Sequence, residues 1–186
     1  MGYFKTRGLR GSGFEDLINE TNREYLSDGL AVIQKIPTPI TPVEMSSDRS
    51  VITLAYFDKQ STVDYIGNVQ GIPVCFDAKE TKGKSLSVSN IRRHQMEFMN
   101  SFAEQDGVAF ILVSFIDYER YFVMDIAELD RWWNEAERGG RKSIPMEAFD
   151  ESLSVERDRR YLVHYLPAVQ AILDKKTATE ETIHAF

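Results

Sequence analysis

Gly71-Ile72-Pro73-Val74-Cys75-Phe76-Asp77-Ala78-Lys79 joins an apolar run to two charged residues. Its first six residues are mostly apolar and predict a buried strand. Because side chains alternate along a strand, Asp77 and Lys79 should point to the same face. Charged residues that directly follow an apolar run favour the end of an inner strand over a sheet edge.

A second carboxylate precedes this strand. Asp64 lies in Thr62-Val63-Asp64-Tyr65, and Gly67-Asn68 and Gly71 supply turn residues before the strand. A hairpin of that length could place Asp64 beside Asp77. Two adjacent carboxylates repel each other at neutral pH unless a cation lies between them, and Mg²⁺ prefers oxygen ligands. A lysine on the same face can orient or help deprotonate an attacking water, so the pattern suits metal-dependent cleavage of a phosphodiester.

The spacing alone leaves another interpretation open. Surface hairpins also carry the pattern D…DxK, and their charged residues oppose edge-to-edge pairing of sheets. Cys75, the one cysteine of the chain, lies inside the apolar run and is predicted to fill the core rather than act as a nucleophile. A single cysteine forms no intrachain disulfide, which fits a reducing cytoplasm.

The composition predicts a globular protein. The chain has 186 residues, of which 42% are hydrophobic and 27% charged, which suits one domain with a proper core. It contains no apolar run long enough for a transmembrane helix, and its first residues lack a hydrophobic signal core. These features exclude an integral membrane protein of the helical class.

The charge is uneven along the chain. The net charge of −7 argues against a general coat for nucleic acid. However, residues 79–94 contain five basic residues and one acid, a local charge of +4, whereas residues 117–158 contain twelve acids and six bases, a charge of −6. Affinity for a phosphate backbone depends on a local basic patch, so DNA binding is compatible with the overall charge.

The predicted elements alternate between helices and strands, which indicates a mixed sheet flanked by helices in one α/β domain. Ser12-Gly13-Phe14-Glu15 matches a capping box at the start of the first helix. Ser89-Asn90 is predicted to cap a second helix, and Asp125 a third. Ser143-Ile144-Pro145 is predicted to begin a helical turn, and residues 80–87 are too hydrophilic for the core. The predicted helices cover about 13–26, 91–105, 126–138 and 165–173, and the predicted strands about 30–36, 51–57, 71–79, 108–115 and 120–124.

Three prolines interrupt the chain after the first predicted strand. Pro37-Thr38-Pro39-Ile40-Thr41-Pro42 must be extended, because proline fixes φ and lacks the donor that a helix or an inner strand requires. Residues 37–62 are therefore either a two-armed excursion from the body or an ordinary long loop or edge hairpin. The pattern by itself does not decide between them.

Several spaced stretches together resemble the RecU-type Holliday junction resolvases. They follow that family's order over about residues 7–170, which is far more specific than D…DxK alone. The stretches are Arg10-Gly11, Phe14-Glu15-Asp16, Lys35-Ile36-Pro37-Thr38-Pro39, Ala55-Tyr56-Phe57, Ser61-Thr62-Val63-Asp64-Tyr65, Phe76-Asp77-Ala78-Lys79-Glu80-Thr81-Lys82, His94-Gln95, Trp132-Trp133-Asn134 and Gly139-Gly140-Arg141-Lys142-Ser143-Ile144-Pro145.

The resemblance implies a restriction-endonuclease-like core, with a mixed central sheet flanked by helices and a projecting stalk at 38–62 that enters the junction centre. It implies a homodimer and Mg²⁺- or Mn²⁺-dependent cutting of four-way junction DNA in recombination and repair. The nuclease domain would span 1–174, and 175–186 would be a frayed C-terminal tail. A recombinase or a branch-migration helicase is a candidate partner, and no membrane partner is expected.

The resemblance also implies roles for five residues. Asp64 and Asp77 would bind the metal, and Lys79 would serve the attacking water. Glu15 matches a further acidic metal position, although it also fits the capping box, and Gln95 matches a helix glutamine near the scissile phosphate or is a polar residue on the helix surface. The family often carries glutamate at position 77, and the shorter aspartate keeps the charge while shifting the metal or favouring Mn²⁺.

The candidate DNA contacts are lysines, arginines and one histidine along the matched stretches. They are Arg7, Arg10, Lys35, Lys82, Lys84, Arg92, Arg93 and His94. The stalk contributes few basic residues, Arg49 and Lys59, so recognition should follow junction shape and phosphate contacts more than base readout. Two rival functions stay open: a nuclease of the same fold that acts on other DNA, and a junction-binding scaffold that does not cut.

Overall fold

A computed structural model describes residues 13–48, 50–57, 62–157 and 159–184. Within these ranges the helices are α1 Phe14–Ser27, α2 Arg93–Ala103, α3 Ile126–Glu137 and α4 Leu166–His184. The strands are β1 Val32–Lys35, β2 Ile40–Met45, β3 Ile52–Phe57, β4 Tyr65–Val69, β5 Ile72–Thr81, β6 Ser85–Ser87, β7 Val108–Phe115, β8 Arg120–Asp125, β9 Ser143–Pro145 and β10 Ser154–Val155. No helix in the described ranges has both the length and the apolar character needed to cross a membrane.

Six strands form the central sheet, in the order β1-β4-β5-β7-β8-β10. The pair β5–β7 is parallel and the other pairs of this sheet are antiparallel, so the sheet is mixed. All eight residues of β7 are buried, as expected for an apolar strand that is covered on both faces. The predicted fold class, a mixed sheet flanked by helices, is confirmed.

Helices cover the two faces of this sheet in pairs. Residues of α1 and α4 share one core cluster with Phe76 and Phe110, whereas residues of α2 and α3 share the other with Cys75 and Ile111. Because Phe76 and Cys75 are neighbours on β5, the two clusters lie on opposite faces. Residues of β5 therefore alternate between an α1–α4 face and an α2–α3 face.

Three aromatic rings stack across the α1–α4 face. The ring of Phe76 on β5 lies 4.7 Å from that of Tyr65 on β4 and 4.8 Å from that of Phe110 on β7, measured between centroids. The same three residues are direct partners in the strand registers. Stacked aromatic pairs contribute about 1 kcal/mol beyond their burial, so this ladder helps to fix the register of β4, β5 and β7.

The first two predicted helix starts differ from the structure. Gly13 is the N-cap residue of α1 and no side chain among the described residues caps it, while Ser12 of the predicted capping box lies outside the described residues. The second helix begins at Arg93 rather than Ile91, because residues 88–90 form a 3₁₀ turn and Ile91 is buried with an extended backbone. The third prediction is correct, since the Asp125 side chain accepts from Ala127 N at the start of α3.

The segment 80–87, which was predicted to be too hydrophilic for the core, also differs from the prediction. Strand β6 pairs with β9, and Leu86 and Ile144 are directly opposite and fully buried. Residues 80–87 therefore reach the core, and Ser143–Pro145 is a strand before the 3₁₀ turn at 146–148. Helix α4 continues to His184, past the predicted end at 173, and Lys175 donates to Asp150 Oδ2 at 2.5 Å and to Ser152 Oγ at 2.9 Å.

Strands β2 and β3 form a separate two-stranded antiparallel sheet, and with their connecting turn we call them the stalk. Pro42 lies in β2 beside a register shift, a position where the missing donor is tolerated. Large apolar side chains of the stalk are exposed, among them Val43, Leu54 and Tyr56. The described part of residues 37–62 is thus a two-armed excursion, whereas Arg49 and Lys59 lie outside the described residues.

Gly67 lies inside β4, not in the turn that the sequence predicts there. The turn of the β4–β5 hairpin is at Gln70-Gly71, and Asn68 Oδ1 accepts from Gly71 N at 2.7 Å. A Cβ atom at Gly67 would lie 2.1 Å from the carbonyl oxygen of Val32 on β1. The close approach of β1 and β4 therefore requires glycine at this position.

Replacing Gly67 by alanine should destabilise the fold. The added methyl group meets backbone atoms of β1, so we expect the free energy of unfolding to fall by about 1–3 kcal/mol, measured by urea denaturation. Gly83→Ala is the matched control, because a Cβ there meets no atom within 4 Å. Equal effects of the two substitutions would contradict the role of Gly67 in the approach of β1.

Candidate active site

Asp77 and Lys79 lie on the α2–α3 face of β5. The Asp77 side chain is fully buried, and that of Lys79 is 15% exposed. Lys79 Nζ forms an ion pair with Asp77 Oδ2, which places both groups on one face of the strand as the alternation predicts. The pair therefore lies on an inner strand, not on a sheet edge, since β5 is flanked by β4 and β7.

Asp64, the residue before β4, lies at the same site. Its Oδ2 accepts a hydrogen bond from the backbone N–H of Ala78 at 2.9 Å. The register of Tyr65 with Phe76 continues to these two aspartates, so Asp64 lies beside Asp77. Sequence reasoning predicted the proximity but missed the backbone donor, because spacing carries no information on where an amide points.

Gln95 completes the group from α2. Its side chain is buried, with 9% exposure. The amide nitrogen Nε2 donates to Asp77 Oδ1 at 2.9 Å, and Oε1 accepts from the backbone N–H of Arg92 at 2.9 Å. The interpretation of Gln95 as a polar residue on the helix surface is therefore wrong.

Burial dominates the electrostatics of Asp77. Loss of water raises the pKa of its carboxyl to about 7, the ammonium of Lys79 lowers it, and the nearby Asp64 carboxylate raises it again. The folded protein therefore favours the protonated form of Asp77 more than the unfolded chain does. A cation that replaced the proton would relieve the same electrostatic cost.

The donor set consists of carboxylate oxygens and one ammonium. Asp77 Oδ2 is buried and ion-paired with the ammonium of Lys79. Across the described ranges, no three or more Asp, Glu, His or Cys side chains converge on a position that could hold a metal. Two aspartates are nevertheless a sufficient protein contribution for Mg²⁺, which usually keeps several waters and takes further oxygen from a substrate phosphate.

Glu15 is not brought to this pair. It lies in the first turn of α1, on the opposite face of the sheet, and its exposed carboxylate is ion-paired with Lys35 at the end of β1. The backbone of this turn is held by the buried Tyr65, whose hydroxyl donates to Asn19 Oδ1 at 3.0 Å and to the carbonyl of Glu15 at 3.3 Å. A metal role for Glu15 stays a prediction that this arrangement does not support.

The candidate DNA contacts surround the site on several elements. Lys82 and Lys84 are exposed in the turn between β5 and β6, and Arg92 and Arg93 are exposed at the start of α2. Arg93 is ion-paired with Glu137 at 2.5 Å. His94 is half-buried in the first turn of the same helix. Arg7 and Arg10 lie outside the described residues.

Two other features carry no part of the site. Cys75 is fully buried between the sheet and α2, and burial raises the pKa of its thiol to about 12, which agrees with a core residue rather than a nucleophile. A cavity of about 870 Å³ lies between β8, α3 and α4. None of Asp64, Asp77, Lys79 and Gln95 lines it.

Replacing Asp77 by asparagine should change how stability depends on pH in the metal-free protein. Because burial raises the folded-state pKa of Asp77 to about 7, above the usual value of an aspartate, the wild type loses stability as the pH rises toward 7. Asp77→Asn has no carboxylate to bury, so its stability relative to the wild type should rise by about 2–3 kcal/mol between about pH 5 and about pH 8.5. Urea unfolding in EDTA at about pH 5 and about pH 8.5 measures this, with the exposed Asp117→Asn as control. A difference that is constant with pH would contradict a raised pKa.

Most of the chain is similar in sequence to one known protein family. The family model described as Recombination protein U, RecU, matches residues 9–171. A Holliday junction resolvase RecU of Pediococcus pentosaceus is 38% identical over 172 residues, covering 90% of this chain and 86% of the relative. Another RecU resolvase, of Oceanobacillus iheyensis, is 38% identical over 168 residues, covering 88% and 86%.

One solved structure also aligns with the chain. It is Hjc of Archaeoglobus fulgidus, a Holliday junction resolvase, with 11% identity and a TM-score of 0.37 over 61% of this chain and 76% of that chain. A likeness of this size carries no argument, so the family assignment depends on the sequence matches. Those matches cover most of the chain at more than a third identity, and this protein therefore belongs to the RecU family.

Proposed function

We propose that this chain is a Holliday junction resolvase, a metal-dependent endonuclease that cuts four-way DNA junctions during recombination. The observation that carries the proposal is the convergence of Asp64, Asp77 and Lys79 at a buried site within a RecU-family chain. RecU relatives at 36–38% identity are named Holliday junction resolvases. A restriction-endonuclease-like core, implied by the family, belongs to the same proposal.

Mg²⁺ or Mn²⁺ is the proposed cofactor, held by Asp64 and Asp77. Carboxylate oxygens are the ligands that these cations prefer, and the Asp77 carboxylate is buried beside that of Asp64 with one ammonium, Lys79, to offset the charge. When bound, the metal would polarise the scissile phosphate and activate water for attack. Glu15 would join only by leaving its ion pair with Lys35.

Lys79 would orient the attacking water and balance the charge that develops on the phosphate. Its ammonium is 15% exposed and already lies at the Asp77 carboxylate, so it needs only a small movement to face a substrate. Asp64 is held in place by the Ala78 amide, beside the Asp77 carboxylate. The site is thus largely preorganised for hydrolysis of a phosphodiester.

DNA would be held mainly through its phosphates. Lys82, Lys84, Arg92 and Arg93 are exposed on two segments next to the site, the turn after β5 and the start of α2. Phosphate contacts position a substrate without reading its sequence, so discrimination would come from junction shape. The stalk, which lies outside the central sheet, is the proposed shape-reading element.

A homodimer would suit this substrate. A four-way junction has two-fold symmetry, and symmetric nicks require two equivalent sites related by a two-fold axis. Exposed apolar side chains of the stalk, such as Val43 and Leu54, support an additional molecular contact there. Recombinases and branch-migration helicases stay as candidate partners within this proposal.

Asp64→Asn and Asp77→Asn should each abolish junction cleavage and preserve junction binding. Both residues are proposed to hold the metal, whereas affinity should depend on basic residues elsewhere. Cleavage of a labelled four-way junction in Mg²⁺ and binding of the same junction in EDTA measure the two effects. Asp117→Asn is the control, because Asp117 is an exposed aspartate outside the proposed site, and this variant should cut like the wild type. Near wild-type cutting by either site variant would overturn the site assignment.

The same assay separates the rival functions. A non-cutting scaffold would bind the junction and leave it intact in both Mg²⁺ and EDTA. A nuclease with another substrate would cut a linear duplex at least as fast as a mobile junction. The retained Asp64, Asp77 and Lys79 favour cutting over a scaffold role.

Shortening the stalk should weaken discrimination between junction and duplex. Replacing residues 44–50 by a two-residue turn removes the stalk tip, and the exposed side chains there contribute little to the core. We expect a folded protein whose junction cleavage falls far more than its binding to duplex DNA. Junction and duplex titrations by gel shift, with parallel cleavage assays, measure this. An unchanged preference for junctions would show that shape is read elsewhere.

A further inference from the structure

Gln95 is buried, and both ends of its amide have partners within the protein. The residue is 9% exposed. Oε1 accepts from the Arg92 N–H, and Nε2 donates one of its two N–H groups to Asp77 Oδ1, each at 2.9 Å. The amide is therefore tied both to Asp77 and to the start of α2.

The orientation of the amide follows from its partners. The backbone N–H of Arg92 can only donate, so the Gln95 atom that faces it must be the oxygen. The nitrogen then points at Asp77, whose ionised carboxylate can only accept. Reversing the amide would place two donors together at Arg92 and two acceptors together at Asp77.

Because of this hydrogen bond, the two oxygens of the Asp77 carboxylate have different partners. Oδ1 is occupied by Gln95, so Oδ2 is the oxygen directed at Lys79 and at the space beside Asp64. The carboxylate cannot rotate without losing the bond to Gln95 in a buried setting, where an unpaired polar group costs about 1–3 kcal/mol. Gln95 in turn is held by the first turn of α2.

We propose that Gln95 is a positioning residue for Asp77: it fixes which carboxylate oxygen faces the metal and ties that orientation to the start of α2. This inference rests on the proposed function, since it assigns Asp77 to metal binding. Groups that orient a metal ligand typically change metal affinity by about 10- to 100-fold when they are removed.

The test separates metal binding from DNA binding. Gln95→Met keeps the length of the side chain and removes both hydrogen bonds. We expect its affinity for Mn²⁺, measured by calorimetry without DNA, to fall by about 10- to 100-fold, while junction affinity in EDTA stays within about twofold of the wild type. Gln105→Met is the matched control, because Gln105 is an exposed glutamine just beyond the end of α2 and should change neither affinity.

Two further readouts exclude a merely structural effect. The Mn²⁺ concentration needed for half-maximal cleavage should rise in Gln95→Met, and saturating Mn²⁺ should restore most of the rate, which an unfolding defect would not allow. If Gln95→Met does not fold by circular dichroism, Gln95→Asn, which keeps an amide but is too short to bridge both partners, should show the same loss of Mn²⁺ affinity.

Unchanged Mn²⁺ affinity together with weaker junction binding would overturn the inference and make Gln95 a phosphate contact. Failure of the wild type itself to bind Mn²⁺ or cut junctions would instead refute the proposed function. The two failures are therefore distinguishable in one set of measurements.

Discussion

The site depends on the register of β4, β5 and β7. Tyr65, Phe76 and Phe110 stack across these strands on the α1–α4 face, and each is the direct partner of the next. A slip of one residue would turn every side chain of a strand to the other face and would separate Asp64 from Asp77. The aromatic ladder on one side of the sheet is thus the structural condition for the carboxylate pair on the other.

The fold accepts an electrostatic cost at this pair. A fully buried carboxylate beside a second one is unfavourable, and the raised pKa of Asp77 reflects that cost. Three contacts offset it: the Lys79 ammonium, the Gln95 amide and the Ala78 N–H that holds Asp64. A site with this balance is poised to exchange a proton or an ammonium for a divalent cation, which links the stability of the fold to the proposed chemistry.

Much of this arrangement could be predicted from local pattern. The continuous apolar run 108–115 coincides with β7, and alternation along β5 placed Asp77 and Lys79 on one face. The burial of Gln95 could not be predicted, because it depends on how α2 docks on the sheet. The β6–β9 pair could not be predicted either, because it also depends on contacts between distant parts of the chain. Leu86 and Ile144 are far apart in sequence, and each short segment is polar on both sides of its apolar residue. Helix α4 extends past 173, and Lys175 there donates to Asp150 and Ser152, which are distant in sequence.

Asp64 and Asp77 are proposed to form a cation site on the face of β5 opposite the aromatic ladder. Anomalous X-ray scattering from crystals of the protein soaked in Mn²⁺ tests this site. We expect a peak beside the carboxylates of Asp64 and Asp77, with the Gln95 hydrogen bond to Asp77 Oδ1 intact. A peak elsewhere, or none at a Mn²⁺ concentration that supports cleavage, would contradict the proposed site.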